Sequence, residues 1–168
     1  MYFFQQRRRK SRKPNFKVSL LVLSPLIKCS SDKLDRIFSD THTEVFRTYD
    51  CLSCANCCKN YSPIIEPDEI AKLCKTLKIS STELFKKFVE MDEDGDFVFK
   101  SQPCPMLNLD DNKCSIYEER PRACMEYPHT NMKKIKNHLD LLEKNIEICP
   151  AAEEIVCRVI KQIEDVKS

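Results

Sequence analysis

Glycine is almost missing from this chain: Gly95 is the one glycine in 168 residues. Left-handed turns and tight hairpins, which glycine makes cheap, are therefore expected to be few. A glycine-rich loop after a strand, the usual backbone cradle for a dinucleotide-like cofactor, is excluded. Long hydrophobic runs are lacking too. The apolar stretch Val18 to Ile27 covers about ten residues, half of what a membrane-spanning helix needs, so no membrane span is expected. Acidic residues are absent from residues 1–31, which hold eight Lys or Arg (Arg7, Arg8, Arg9, Lys10, Arg12, Lys13, Lys17 and Lys28). The formal charge of +2 thus splits into +8 there and −6 over residues 32–168. No internal repeat is present.

A basic region followed by a short apolar one has the outline of an export signal. Pro25 interrupts it, no Ala-x-Ala-like cleavage site follows, and Lys28 precedes Cys29 where a lipoprotein signal needs a small residue. Residues 1–31 are therefore expected to be a disordered basic arm, or residues supplied by a misplaced upstream start, and the protein is expected to be cytoplasmic. A basic arm can touch nucleic acid, but charges in a loose tail are more often simply solvated, which argues against a nucleic-acid partner.

What the chain has in abundance is cysteine, eleven in 168 residues. An odd count with a vicinal pair suits a disulfide framework poorly, and disulfides belong mainly to secreted proteins. The densest stretch reads Cys51-Leu-Ser-Cys54-Ala-Asn-Cys57-Cys58. A Cys-x-x-Cys step places two sulfurs around one turn, close enough to share a metal ion. Cys104, Cys114, Cys124 and Cys149 likewise fall in turns or at expected helix ends. Cys74 lies on the apolar stripe of its helix, Cys157 falls off one, and Cys29 belongs to the basic arm, so these three are set aside as structural. Eight thiols remain: Cys51, Cys54, Cys57, Cys58, Cys104, Cys114, Cys124 and Cys149. That number suits two four-thiolate sites or one multi-metal cluster.

Zinc and iron both fit thiolate donors. Four thiolates around zinc are the common structural arrangement. Cys51, Cys54 and Cys57 also reproduce the start of a ferredoxin-type run, with Cys149-Pro150 as a distant fourth, which leans the expectation toward iron, as an iron–sulfur cluster or a mononuclear site. Lys59, Lys113, Arg120 and Arg122 stand beside cysteines and could balance the charge of a thiolate site. His129 offers a Cys₃His alternative, against which a lone surface histidine is the plainer expectation.

Periodicity places a mostly α fold around these loops. Leu34, Ile37, Phe38, Thr41 and Val45 predict a helix with Ser31 or Asp32 as its N-cap. Pro67-Asp68-Glu69 opens another, with Ile70, Leu73, Cys74 and Leu77 on its apolar face. Ser80 and Glu83 form a capping box for a third, lined by Leu84, Phe85, Phe88 and Val89. This αα-hairpin carries too few cations to read as a DNA-binding helix-turn-helix. Asp92-Glu93-Asp94-Gly95-Asp96 reads as a hairpin turn into a short strand, since the chain supplies no glutamate at the twelfth position of a calcium loop. Residues 101–124 are short on helical periodicity. Two last stripes follow, Met132 to Ile146 and Ala152 to Ile163.

The cysteine pattern resembles the YkgJ-like cysteine-cluster family, whose members are described as chelating zinc or iron. The match runs through Cys51 to Cys58, Cys104-Pro-Met-Leu, Cys114-Ser-Ile-Tyr-Glu-Glu-Arg-Pro-Arg-Ala-Cys124-Met-Glu-Tyr-Pro and Cys149-Pro150, over about residues 48–150. Within it Ile116, Tyr117, Arg120, Pro121, Tyr127 and Pro128 fall in place. The resemblance implies metal chelation through the shared cysteines, and a structural or electron-transfer role for the metal is the expectation set beside it. A similar domain occurs in flagellin lysine N-methylases, which keeps open a metal-dependent redox or methyl-transfer enzyme, or an accessory subunit with a protein partner. A zinc module binding nucleic acid through the basic arm is the remaining rival. The expected fold is one small helical domain over residues 32–168, with cysteine-rich loops and a short hairpin around a metal centre.

Overall fold

The computed structural model describes residues 23–165; residues 1–22, most of the basic arm expected over residues 1–31, and residues 166–168 lie outside them. In chain order the helices are α1 (Ser24–Lys28), α2 (Ser31–Phe46), α3 (Cys51–Cys54), α4 (Asn56–Asn60), α5 (Pro67–Leu77), α6 (Ser81–Lys87), α7 (Arg122–Glu126), α8 (Leu139–Ile146) and α9 (Pro150–Asp165). Three short strands, β1 (Ile64–Ile65), β2 (Val89–Met91) and β3 (Phe97–Phe99), form an antiparallel sheet in the order β1-β3-β2. The fold is mostly α with a small hairpin, as periodicity indicated.

The described residues divide into two compact units. One is Cys51–Glu126, and the other joins residues 23–50 to residues 127–165.

In the cysteine-rich unit, α5 begins at Pro67 with Glu66 as N-cap, and the Glu66 and Glu69 side chains complete a capping box. Ser80 caps α6 by accepting the Glu83 amide at 3.2 Å. Both starts are those the sequence signals predicted. The hairpin joins β2 to β3 in the register Val89↔Phe99, Glu90↔Val98 and Met91↔Phe97. Asp92 Oδ1 closes its turn by accepting the amides of Asp94 and Asp96, and Gly95 sits at φ +88°. Ile65, Leu73, Leu84, Val89, Phe99, Met106 and Ile116 form the core beneath.

In the other unit, α2 and α9 pack along each other, with α8 and α1 against α9. Leu34, Phe38, Ile135, Ile155 and Val159 are fully buried. Leu23 and Leu26 are also fully buried, and Cys29 is nearly so. Packing therefore starts upstream of Ser31, and Cys29 is a core residue. Asp35 fastens the returning chain: its carboxylate accepts the amides of Lys134 (2.7 Å) and Ile135 (3.0 Å), which open the 3₁₀ turn before α8.

Left-handed backbone is commoner than the single glycine suggested. Ala55, Lys78, Asn112, His129 and Lys134 all have φ between 51° and 61°. Each sits at a helix boundary or a loop corner where the chain must turn, and packing holds a conformation that an L side chain disfavours by about 1 kcal/mol.

His129 departs from expectation in a second way: it is 9% exposed rather than on the surface. Burial, and secondarily the charge of His138, pulls its pKa down to about 4. The unfolded chain protonates such a ring near pH 6.5. The folded form therefore binds fewer protons between those values. Its contribution is fully present above about pH 6.5 and is lost as pH falls toward 4. Acidification from pH 7.5 to 5 should cost about 2 kcal/mol through this residue. His129→Asn, which tolerates the left-handed backbone, should flatten that part of the slope in urea unfolding.

Candidate metal centre

Local structure explains how the first four cysteines are presented. The run Cys51–Cys58 folds as two single-turn helices, α3 and α4, joined at left-handed Ala55. The Ala55 amide still donates to the Cys51 carbonyl (3.0 Å), and Lys59 to that of Ala55 (3.1 Å). The kink is thus tied to both turns. Cys51 is exposed; Cys54, Cys57 and Cys58 are partly buried. Cys57 and Cys58 hold their sulfurs 3.8 Å apart.

Cys58 is also where the distant cysteines arrive. The Cys104 amide donates to the Cys58 carbonyl at 2.7 Å, and the Leu107 amide to the Cys104 carbonyl at 3.0 Å. Leu107 in turn bridges Cys114 across an antiparallel pair. Cys58 and Cys104 are thus joined by a direct backbone hydrogen bond, and Cys114 is brought in by the bonds that flank its pairing with Leu107, Asn108 amide to Lys113 carbonyl and Ser115 amide to Met106 carbonyl, both 2.8 Å. Cys124, on α7, completes the group: it lies close enough to Cys58, Cys104 and Cys114 for their charges to act on it.

These four thiols differ in acidity. The Cys57 thiol beside it brings Cys58 down to about 7, despite burial, with help from Lys59 and Arg120. Burial pushes Cys104 up to about 12, and raises Cys114 and, more strongly, Cys124. At neutral pH the group holds one readily ionised thiol among three protonated ones.

Arg120 is the cation of this group. Its guanidinium lies 3.9 Å from the centre of the Tyr117 ring and donates to the Tyr117 carbonyl. From there its charge reaches Cys58, Cys114 and Cys124. Arg122, by contrast, pairs with Asp68 at 3.1 Å, and Lys113 with Asp111 at 3.7 Å.

Cys149 lies in the other unit, 7% exposed, between α8 and α9. Its amide donates to the Asn145 carbonyl at 2.8 Å. Cys74 is partly buried against the core under α5, and Cys157 is exposed. All eleven cysteines stand as thiols.

Two residues that sequence reasoning passed over belong to the surroundings of the site. The side-chain Nε2 of Gln102, two residues before Cys104, is buried with no hydrogen-bond partner. Glu69, read from sequence only as a helix-start acid, is 8% exposed and accepts the Arg122 amide at 2.7 Å. Nothing in the local sequence signals either role, because both depend on segments far along the chain.

As a donor set, cysteine thiols suit a soft or borderline metal, and Arg120 places a positive charge where it acts on three of them. The thiols are gathered rather than closed. Among the described residues, no three His, Cys, Asp or Glu side chains already stand in a geometry that could hold an ion. No described helix is long and apolar enough to cross a membrane.

A small helical fold that draws thiols from separate loops defines a class of thiolate metal-chelating domains. The chain belongs to one such family, CxxCxxCC, described as a "Putative zinc- or iron-chelating domain", whose model matches residues 50–150. No curated protein and no solved structure matches the chain.

Proposed function

We propose that this protein binds zinc or iron through cysteine thiolates, and that Cys58, Cys104, Cys114 and Cys124 are the core ligand set. The observation that carries this reading is that these four cysteines gather in one unit, Cys104 hydrogen-bonded to Cys58 through the backbone, Cys114 paired with Leu107, and Cys124 within electrostatic reach of all three. A four-thiolate ion is net negative, and Arg120 supplies the compensating charge that burial of such a centre requires. Cys51, Cys54 and Cys57 in the same unit, and Cys149 in the other, are the remaining candidate ligands. When bound, the metal contributes folding energy and, if it is iron, a one-electron couple. Eleven thiols suit a reducing compartment such as the cytoplasm.

The test is metal analysis with a visible spectrum on protein purified without oxygen. We expect about one equivalent or more of iron or zinc. Iron with a broad absorption toward the blue favours an iron–sulfur cluster, as the spacing of Cys51, Cys54 and Cys57 does. A colourless zinc-loaded sample identifies a structural zinc site. Protein carrying neither metal, and taking up neither on addition, would sink the reading.

A further inference from the structure

Helix α5 carries none of the proposed ligands, yet it grips the segment that delivers Cys124. Three contacts make the grip. Lys72 pairs with Glu119 at 2.9 Å, Asp68 pairs with Arg122 at 3.1 Å, and the Glu69 carboxylate reaches the Arg122 main chain. The first two are between exposed side chains, worth little on their own. Glu69 is different. It is 8% exposed, and both of its oxygens are committed. Oε2 accepts the Glu66 amide at 2.9 Å, closing the start of its own helix. Oε1 accepts the Arg122 amide at 2.7 Å, at the first residue of α7.

The first amides of a helix have no partner within it, and a carboxylate is the strongest side-chain acceptor for them. Helix α7 is only five residues long and cannot hold its own position by helix stability. Pro121 comes immediately before it, and the amides of Cys124 and Met125 both donate to the Pro121 carbonyl (2.8 and 3.1 Å). One acceptor on α5 therefore fixes the first turn of α7, and the first turn carries Cys124. A plain capping acid would serve its own helix alone, and would have no reason to be buried.

We propose that Glu69 is a positioning residue for the metal site, holding the start of α7 so that Cys124 faces Cys58, Cys104 and Cys114. This rests on Cys124 being a ligand, and the same bridge sets Arg120, two residues upstream of the clamped amide. Glutamate is required for the double acceptance: glutamine keeps one acceptor oxygen and offers an NH₂ where the second amide needs an oxygen. Cutting the bridge should leave the other three thiols where they are and loosen the fourth.

Two measurements on the full chain test it, with Glu69→Gln as the main variant, Glu69→Ala as the stronger one and Ser80→Ala as a control that weakens a different helix cap. In metal-free protein, amide hydrogen exchange at residues 122–126 should quicken about tenfold or more in Glu69→Gln and stay unchanged in Ser80→Ala. With cobalt(II) as the probe, Glu69→Gln should bind about 10- to 100-fold more weakly. Its sulfur-to-cobalt absorption per bound ion should drop by about a quarter, as one of four thiolates is lost. Unchanged exchange at Arg122, or cobalt affinity and absorption equal to wild type in Glu69→Gln, would overturn the proposal. Equal cobalt binding by wild type and Cys124→Ser would overturn the ligand assignment beneath it, whatever Glu69 does.

Discussion

Replacing Cys104 with serine is expected to weaken zinc binding about 100-fold while leaving the metal-free fold nearly unchanged. The size follows from sharing about 12 kcal/mol of structural zinc affinity among four ligands, about 3 kcal/mol each. The fold survives because the thiol is held up at about 12 by burial and is uncharged in the metal-free protein. A hydroxyl of similar size replaces it without removing a charge. The Cys104 main chain, which carries the link to Cys58, is untouched. The pH dependence is the sharper signature. Each ligand must lose its proton to bind, so affinity rises with pH by one decade per unit for every ligand below its pKa. Cys104, Cys114 and Cys124 are all raised, and Cys58 lies near 7. The slope of log affinity against pH should be about four below pH 7 and about three above it. Cys104→Ser should lower both by one, whereas Cys74→Ser and Cys157→Ser should change neither affinity nor slope. Zinc titrations against a competing chelator at several pH values measure this directly. A Cys104→Ser protein with wild-type affinity would remove Cys104 from the ligand set.

The parts of this molecule that were legible in sequence are those governed by local rules. Pro67 and Glu69 open α5, Ser80 and Glu83 box the start of α6, and Asp92 to Asp96 turn the hairpin, each through bonds between residues no more than four apart. Cap position was less exact: α2 is preceded by Ser30, one residue before the expected cap, and that side chain makes no capping bond. The cysteines announced a metal site because thiols in Cys-x-x-Cys steps have few other uses. Their partition was not legible. Cys104 joins Cys58 through a main-chain amide, Cys114 is brought in by its bridge pairing with Leu107, and any residue type can make such backbone contacts. Glu69 was hidden for the same reason, since its second acceptance is of a backbone N–H in a distant segment. Lys78, His129 and Lys134 occupy left-handed backbone without glycine, so the scarcity of glycine undercounted such corners. Cys29 and His129 were misplaced because burial of a single residue in an aperiodic stretch leaves no pattern to read.

Truncating Phe38 to alanine should be the most damaging single change in the other unit, at about 4 kcal/mol. Phe38 is the largest of the fully buried side chains, at 0% exposure on the inner face of α2. It belongs to one continuous cluster with Leu34, Ile135, Ile155 and Val159, drawn from α2, the turn before α8, and α9. Removing the ring deletes transfer free energy and leaves a cavity, and interiors packed at crystal density collapse onto such a hole only partly. Phe38→Leu keeps most of the volume and should cost about 1.5 kcal/mol or less. Ile160→Ala, at a partly buried position on α9, should fall between. Domains of this size are stable by about 5–15 kcal/mol, so Phe38→Ala consumes a large share and should lower the thermal midpoint by about 10 °C. Circular dichroism melts give the midpoint. Hydrogen exchange then locates the loss, which should fall on the amides of α2 and α9, since those two helices bury their apolar faces together. A loss under about 1 kcal/mol would mean that Phe38 is not packed as the core cluster requires.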